Sequence, residues 1–203
     1  APTGATEEWN GSSWTTGTSL ATPRNSVTGG GVQTSALMVG GSVPPNTTAA
    51  ESYNGSSWTA ETVAPDAFFG GKGFSGQSAT SNLFIMNPKT WTYNGTSWTD
   101  LGHDLLDGGR TNPAGGSQQG TTTAALVAGG FNPAPAITTA SQIYDGSAWA
   151  TAPSLGTGRR GGAAAGSATS CLAVGGEEPA QSNKTEEFTA ETSAVNIETL
   201  TTS

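Results

Sequence analysis

The sequence predicts an all-β fold, for three reasons. Helix-forming residues such as Leu, Lys and Met are scarce, whereas Thr, Ser and Gly dominate the chain and favour strands and turns over helices. No stretch shows a convincing apolar period of about 3.6 residues. Short strand-like runs end in Asn-Gly, Asp-Gly or Gly-Gly pairs, which are typical of turns between antiparallel strands.

The composition excludes several classes of function. The chain has 203 residues and a formal charge of −8, and its seven basic residues are too few to neutralise phosphates, so we expect no nucleic-acid partner. One Cys and one His provide neither an internal disulfide nor a His-rich metal site. No apolar run approaches the ~20 residues that cross a bilayer, so we expect no membrane insertion. We also expect no cofactor.

A first repeated motif joins an aromatic residue, an Asn-Gly or Asp-Gly pair and a tryptophan. The glycine allows the positive φ that a hairpin turn requires, so each copy predicts a β-hairpin. A two-residue loop would pair Tyr53 with Ser56, whereas a four-residue loop would pair Tyr53 with Trp58, and the sequence leaves both open. The copies lie roughly 40 to 50 residues apart and occupy residues 9–14, 53–58, 93–98 and 144–149.

A second motif, an apolar run followed by two glycines, keeps phase with the first. The run predicts a strand buried on both faces, and the glycines allow a tight exit where a side chain would clash. Cys171 stands where two other copies have alanine, so we interpret it as a small core residue rather than a nucleophile. The copies are residues 34–41, 123–130 and 169–176, with a degenerate copy at 81–86 that is followed by Asn87 and Pro88.

Together the motifs predict four strands in each repeat. Strand a is rich in Gly, strand b is the apolar run, strand c ends at the aromatic residue, and strand d begins with the Trp. Four short antiparallel strands repeated at this spacing are typical of the blades of a β-propeller. We predict a single domain, 1–203, with four-stranded blades at 21–62, 63–102, 103–154 and 155–203, and a last outer strand within 195–200.

Residues 1–20 hold only the outer hairpin, strands c and d, of a further blade. A hairpin without inner strands exposes its edge and lacks a core, which is costly. We therefore expect that the chain is the C-terminal part of a longer propeller, or that it pairs with strands supplied by another chain.

In their order and register, these residues resemble the kelch repeat of galactose-oxidase-like β-propellers. The matching quartet is an Arg on strand a, a Gly pair after strand b, a Tyr on strand c and a Trp on strand d. The second blade lacks the Arg and the Gly pair, which leaves its local geometry open. The repeat is also similar to that of kelch-like virion proteins from phages and marine viruses. The quartets are Arg24, Gly40-Gly41, Tyr53 and Trp58; Arg110, Gly129-Gly130, Tyr144 and Trp149; and Arg159, Gly175-Gly176 and Phe188, without a Trp.

The resemblance raises copper oxidation, but the residues favour a protein that is not an enzyme. Galactose-oxidase chemistry needs two His, two Tyr and a thioether-forming Cys, whereas this chain has a single histidine, His103. Adjacent glutamates on a strand point to opposite faces and cannot converge as a catalytic pair. We expect no catalytic and no metal-binding residue. Glu7, Glu51 and Glu186 recur two residues before the strand-c aromatic, which indicates a structural role such as pairing with the repeat Arg.

Propeller ligands are expected on the face that carries the b–c and d–a loops. The b–c loops at 42–48, 131–139 and 177–184 are long and contain proline. Our candidate ligand-binding residues are Phe131, Asn132, Arg110 and Arg159, a set that suits a sugar or a partner protein. The alternative is that Phe131 folds back onto its blade and that the Arg side chains bond loop carbonyls.

Low charge, few lysines and short turns suit exposure outside a cell. We therefore expect an extracellular or virion localisation and an attachment or structural role, as in a phage tail, fibre or capsid decoration. The expected partners are other virion or surface proteins within an oligomeric assembly. The alternative is a secreted or cell-surface carbohydrate-binding adhesin, whose ligands are glycans.

Overall fold

The computed structural model describes residues 3–67, 72–75, 78–86, 88–113, 115–116, 120–134, 136–178 and 180–190. Within these residues every regular element is a β-strand, and the strands form six small antiparallel sheets. The predicted all-β class is therefore confirmed. No helix in these ranges is long and apolar enough to cross a membrane.

The strands follow the predicted repeats in chain order. The N-terminal hairpin consists of β1 (Glu7–Trp9) and β2 (Trp14–Thr16). The first sheet contains β3 (Thr28–Val32), β4 (Ser35–Val39), β5 (Ala50–Tyr53) and β6 (Trp58–Ala60). The second contains β7 (Lys72–Ser75), β8 (Asn82–Met86), β9 (Lys89–Tyr93) and β10 (Trp98–Asp100). The third contains β11 (Gly115–Gly116), β12 (Ala125–Ala128), β13 (Ser141–Tyr144) and β14 (Trp149–Ala152).

The fourth sheet contains β15 (Ala163–Gly166), β16 (Ser170–Val174) and β19 (Thr185–Thr189). A small hairpin of β17 (Glu177–Glu178) and β18 (Ala180–Gln181) interrupts it, and the sequence did not predict this hairpin. Each of the first three sheets is a meander in which strands pair in sequence order. The outer strand predicted within 195–200 lies outside the described residues.

The aromatic hairpins have the four-residue loop. Tyr53 pairs with Trp58, and Tyr93 pairs with Trp98 in the same register. Asn54 closes the turn, since its side-chain oxygen accepts hydrogen bonds of 2.9 Å from the backbone N–H groups of Ser56 and Ser57. Gly55 has a φ of 92°, which explains the glycine in the motif.

The Gly pairs allow the following chain to pass close to a neighbouring backbone. Gly41 and Gly130 have φ values of 101° and 110°. A Cβ atom on Gly41 would lie 2.7 Å from the carbonyl oxygen of Asn25, and one on Gly130 would lie 3.0 Å from that of Thr111. Asn25 and Thr111 each follow a repeat Arg in the linker that leads into the sheet. The Gly pair therefore leaves room for this linker to pack against the end of strand b.

The second sheet has the same strand order without the Arg and the Gly pair. Its strand β9 begins only three residues after β8 ends, with Met86 opposite Lys89. The linker after it is held as in the neighbouring sheets, because the N–H of Leu105 donates to the carbonyl of Pro88 over 3.0 Å, as that of Ala64 donates to Thr48 over 2.8 Å. A short b–c connection leaves no long loop for an Arg and a Gly pair to secure.

The apolar core lies between neighbouring sheets. Leu37 and Val39 of the first sheet pack with Phe84 of the second, and Leu83 of the second packs with Val127 of the third. Leu126 of the third sheet packs with Cys171 of the fourth, so Cys171 is buried in β16 as predicted. Because each core is shared, each sheet depends on its neighbours for burial.

Candidate ligand-binding face

The recurring Arg residues lie in the linkers before strand a rather than on it as predicted, and their side chains lie inside the fold. Arg24 Nη1 lies 2.7 Å from the Glu51 carboxylate, and Arg159 Nη2 lies 2.6 Å from that of Glu186. Arg159 Nη1 also donates to the carbonyl of Lys184 over 2.9 Å. The predicted pairing of the repeat Arg with the glutamate before the strand-c aromatic is therefore confirmed for Glu51 and Glu186. Within the described ranges Glu7 forms no ion pair with an Arg, so the prediction does not extend to the N-terminal hairpin.

The third sheet reaches the same arrangement with different residues. Gln142 occupies the position of Glu51 and Glu186, and Asp107 from the linker pairs with Arg110 instead. The Gln142 side chain donates to Asp107 over 2.9 Å and accepts from the backbone N–H of Leu106 over 2.9 Å. Burial lowers the pKa of Arg110, and the adjacent Asp107 opposes that shift.

Two of the four candidate ligand-binding residues are thus buried. Arg110 is 2% exposed and Arg159 is fully buried, and both guanidinium groups bond carbonyls as well as carboxylates. Their contacts hold the linker against the b–c loop. Ligand binding by Arg110 and Arg159 stays a prediction, and the structure shows them in a supporting position beneath the face.

Phe131 and Asn132 lie on the loop itself. The backbone of Phe131 exchanges two hydrogen bonds with Thr111, of 2.8 and 2.9 Å. Its half-buried ring lies beneath the guanidinium group of Arg160, with Cζ 5.2 Å from the ring centroid. Asn132 accepts a hydrogen bond of 3.1 Å from the backbone N–H of Ala136, so it shapes the loop.

Arg160 is the side chain of this face that the sequence analysis missed. It is half-buried, and its guanidinium group lies 3.1 Å from the carboxylate of Glu177. The available clue was the Arg159-Arg160 pair, because the other repeats have Asn25 and Thr111 after the Arg. An open depression of about 400 Å³ lies beside it, lined by Arg160, Gly161, Gly176, Glu177, Gln181 and Ser182.

A second recurring contact joins each strand-c tyrosine to the preceding hairpin or to the linker that follows the preceding sheet. The hydroxyl of Tyr53 donates to Glu8, and that of Tyr93 donates to Glu61 over 2.9 Å. Tyr144 has His103 as its neighbour, with Nδ1 2.9 Å from the hydroxyl oxygen. Burial, followed by the bond to Glu61, raises the pKa of Tyr93 to about 12. These contacts tie the sheets together away from the loop face.

Across the described ranges, no group of three or more His, Cys, Asp or Glu side chains could hold a metal ion. The side chains described above on the loop face are the Arg160 guanidinium group, the Glu177 carboxylate, the amides of Asn132 and Gln181 and the ring of Phe131. Such groups recognise ligands through hydrogen bonds and stacking.

Comparison with known proteins supports the fold alone. No protein-family model matches the sequence, and no curated protein matches it. Among solved structures 134 chains are similar, including one described as "Structure of YjhT". It has 14% sequence identity and a TM-score of 0.70, and the match covers 86% of this chain and 67% of that one. The likeness agrees with an all-β, propeller-like arrangement of small antiparallel sheets.

Proposed function

We propose that the chain is a kelch-like β-propeller, with four blades and an additional outer hairpin, that acts by binding rather than by catalysis. The meander order of the sheets, the shared cores and the repeated Arg–carboxylate pairs support this architecture. The sheets serve as a scaffold, and the loops at one end supply the recognition surface.

One observation favours the loop face of the third and fourth sheets as the binding surface. There the half-exposed Arg160 and Glu177 border an open depression, next to the ring of Phe131. Beneath them, Arg110 and Arg159 fix the linkers, so the surface groups are held in place before a ligand arrives. Preorganisation of this kind reduces the entropy that binding costs.

We propose attachment as the biological role, with the protein exposed on a virion and bound to other virion or surface proteins. The low-charge, Thr-rich repeat supports this role, since it resembles the kelch-like virion proteins described above. The second candidate is a carbohydrate-binding adhesin. The depression favours it, because a cation, a carboxylate and the Gln181 amide can each bond a sugar hydroxyl.

Binding of labelled protein to a glycan array tests the recognition surface. Arg160→Ala and Phe131→Ala are expected to reduce binding at least tenfold, since each removes a group from the face. Lys89→Ala is the matched control, because Lys89 is an exposed cation on the second sheet rather than on the third or fourth. Equal loss in all three variants would contradict a site at Arg160.

The two roles differ in where the protein is found. Electron cryomicroscopy of particles from the source is expected to show the propeller as an ordered, repeated copy on the virion. Specific glycan binding by a chain that is secreted or cell-bound, and absent from particles, would favour the adhesin instead. Binding of no glycan and no surface protein would contradict both.

A further inference from the structure

The N-terminal hairpin has the aromatic pair of a blade without the burial of one. The rings of Trp9 and Trp14 lie 5.4 Å apart, much as Tyr144 and Trp149 lie 5.2 Å apart. Yet Trp9 is 46% exposed and Trp14 is 64% exposed, whereas Trp149 is 5% exposed. The difference lies in the neighbouring strand, because Tyr144 is on β13 between β12 and β14.

The outer edge of β1 has backbone groups ready to pair. Asn10 donates to Ser13, and Gly17 donates to the carbonyl of Thr6 over 2.8 Å, so the even-numbered residues bond β2. Hydrogen bonding alternates along an antiparallel strand, so the N–H and C=O groups of Glu7 and Trp9 point to the other edge. No strand of the described ranges pairs with that edge.

The rest of the chain shows what kind of strand covers such an edge. In the first sheet β4 pairs with strand c, with Ala36 opposite Tyr53. The same position is filled by Asn82 opposite Tyr93 and by Ala125 opposite Tyr144. Each time the covering strand is the apolar strand b, and in two of the three it ends in the Gly pair.

The segments before β1 and after β2 make the same backbone hydrogen bonds as the equivalent segments of the first sheet. Leu20 donates to the carbonyl of Gly4 over 2.8 Å, as Ala64 donates to that of Thr48 over 2.8 Å in the first sheet. The bond from Gly17 to Thr6 likewise matches the one from Glu61 to Ala50. The hairpin therefore has the geometry of strands c and d of a blade, and no described strand takes the place of strand b beside it.

We propose that the free edge of β1 is an acceptor site for one extended polypeptide strand of the b type, small-Leu-x-Val-Gly-Gly. In the register of the first sheet, its small residue lies opposite Trp9 and its third residue opposite Glu7. That third residue covers Trp14, because Phe84 holds the equivalent position and its ring lies 5.3 Å from that of Trp98. Backbone bonds supply affinity, and the apolar third residue supplies specificity.

A second copy of this chain does not fit as the donor. Its b-type strands β4, β8, β12 and β16 each pair with a strand on both sides. None of them has a free edge to offer without unfolding its own sheet. The occupant is instead a b-type segment that is not already part of such a sheet.

A peptide with the sequence of residues 34–42 tests the site directly. It carries Ala-Leu-Met-Val-Gly-Gly, and two appended lysines and a fluorophore make it soluble and detectable. Titration with the 203-residue chain is expected to give saturable one-to-one binding by anisotropy, with a blue shift of tryptophan emission. A scrambled peptide with the same lysines, and the peptide carrying Met38→Pro, are expected to bind at least tenfold more weakly.

A matched pair of protein variants locates the edge. Glu7→Pro removes an outward N–H that makes no bond to β2, so peptide affinity is expected to fall at least tenfold. Glu7→Ala keeps that N–H and is expected to bind like the parent. Circular dichroism checks folding, and if Glu7→Pro fails to fold, amide exchange in the parent replaces it. Peptide is then expected to slow exchange at Glu7 and Trp9 more than at Glu8.

Three results would overturn the proposal. The first is absence of saturable peptide binding. The second is equal binding by Glu7→Pro and Glu7→Ala, or no added protection at Glu7 and Trp9. The third is a blue shift that depends on protein concentration without peptide, which would show that a second copy covers the tryptophans.

Discussion

Glu51 and Gln142 occupy equivalent positions in two sheets, and the residue that pairs with the nearby Arg differs between the two sheets. Glu51 neutralises Arg24 itself, with a side chain only 3% exposed. Gln142 is neutral, so Asp107 supplies the charge from the linker, three residues before Arg110. In both sheets one buried guanidinium group has one carboxylate, which is the condition under which burying a charge is tolerated.

Glu51→Ala is expected to lower the free energy of unfolding by about 3–5 kcal/mol, because Arg24 stays buried without its carboxylate. Urea denaturation measures the loss. Asp100→Ala is the control, since it breaks the exposed pair with Lys89 and is expected to change stability little. Similar small losses of unfolding free energy in both variants would show that the buried pair contributes no more to stability than the exposed pair.

The arrangement of the third sheet suggests a rescue. The N–H of Ala21 donates to Glu51 as that of Leu106 donates to Gln142, so Thr22 occupies the position of Asp107. Adding Thr22→Asp to Glu51→Gln is expected to restore about 0.5–3 kcal/mol by coupling, relative to the sum of the single changes. Strict additivity would argue that the two networks are not equivalent.

Ionisation of Tyr93 is expected to lower the stability of the fold at alkaline pH. Its pKa is raised from 10.0 to about 12, so the unfolded chain releases this proton first as pH rises. Its contribution to stability is thus complete below about pH 10 and is lost as pH rises to about 12. In Tyr93→Phe we expect a smaller fall in unfolding free energy between pH 10 and 12 than in the parent. Denaturation at several pH values measures it, and parallel curves would contradict this assignment.

At the scale of the element, the glycines that follow strand b differ from other turn glycines because a neighbouring backbone passes close to them. Gly41→Ala is expected to cost about 1–3 kcal/mol or more, because its φ of 101° is unfavourable and the Cβ would meet the Asn25 carbonyl at 2.7 Å. Gly102→Ala is the control, with a φ of 67° and no atom within 4 Å of the added Cβ. Its expected cost is about 1 kcal/mol. Equal losses in urea denaturation would show that the close approach is not what selects glycine.

The strands were predictable because each has a local pattern, whereas their connections depend on distant atoms. The Asn-Gly motif could not decide between Ser56 and Trp58 as the partner of Tyr53, since both loops use the same glycine. The Arg residues were placed at the ligand face because sequence position gives the end of a strand but not the direction of its side chain. The alternative, that they bond loop carbonyls, describes the observed contacts of Arg110 and Arg159.

Other features had no clear local pattern. The hairpin β17–β18 forms from a Glu-rich loop whose residues have no strong strand preference. The role of Asp107 depends on Gln142, which lies 35 residues away. Arg160 could be noticed only as a departure from Asn25 and Thr111, and its contact with Phe131 joins two different repeats.

At the scale of the whole molecule, neighbouring sheets share their burial. Trp98 donates to the carbonyl of Thr62 over 2.9 Å, and Trp149 donates to the hydroxyl of Thr90 over 2.7 Å, each in the preceding repeat. Stability in such an array comes largely from contacts between nearest neighbours. The described strands at the two ends have fewer neighbours, in agreement with the exposure of Trp14 and of Val174, which is 40% exposed.

Amide hydrogen exchange, resolved residue by residue by NMR, tests most directly whether every repeat builds the same sheet. We expect the slowest exchange to recur in the central strands β4, β8 and β12, with faster exchange in the linkers before each sheet. In the N-terminal hairpin, Glu8 is expected to exchange more slowly than Glu7 and Trp9. Protection that does not recur with the repeats, or that is strong at Glu7 and Trp9 in the chain alone, would contradict the account.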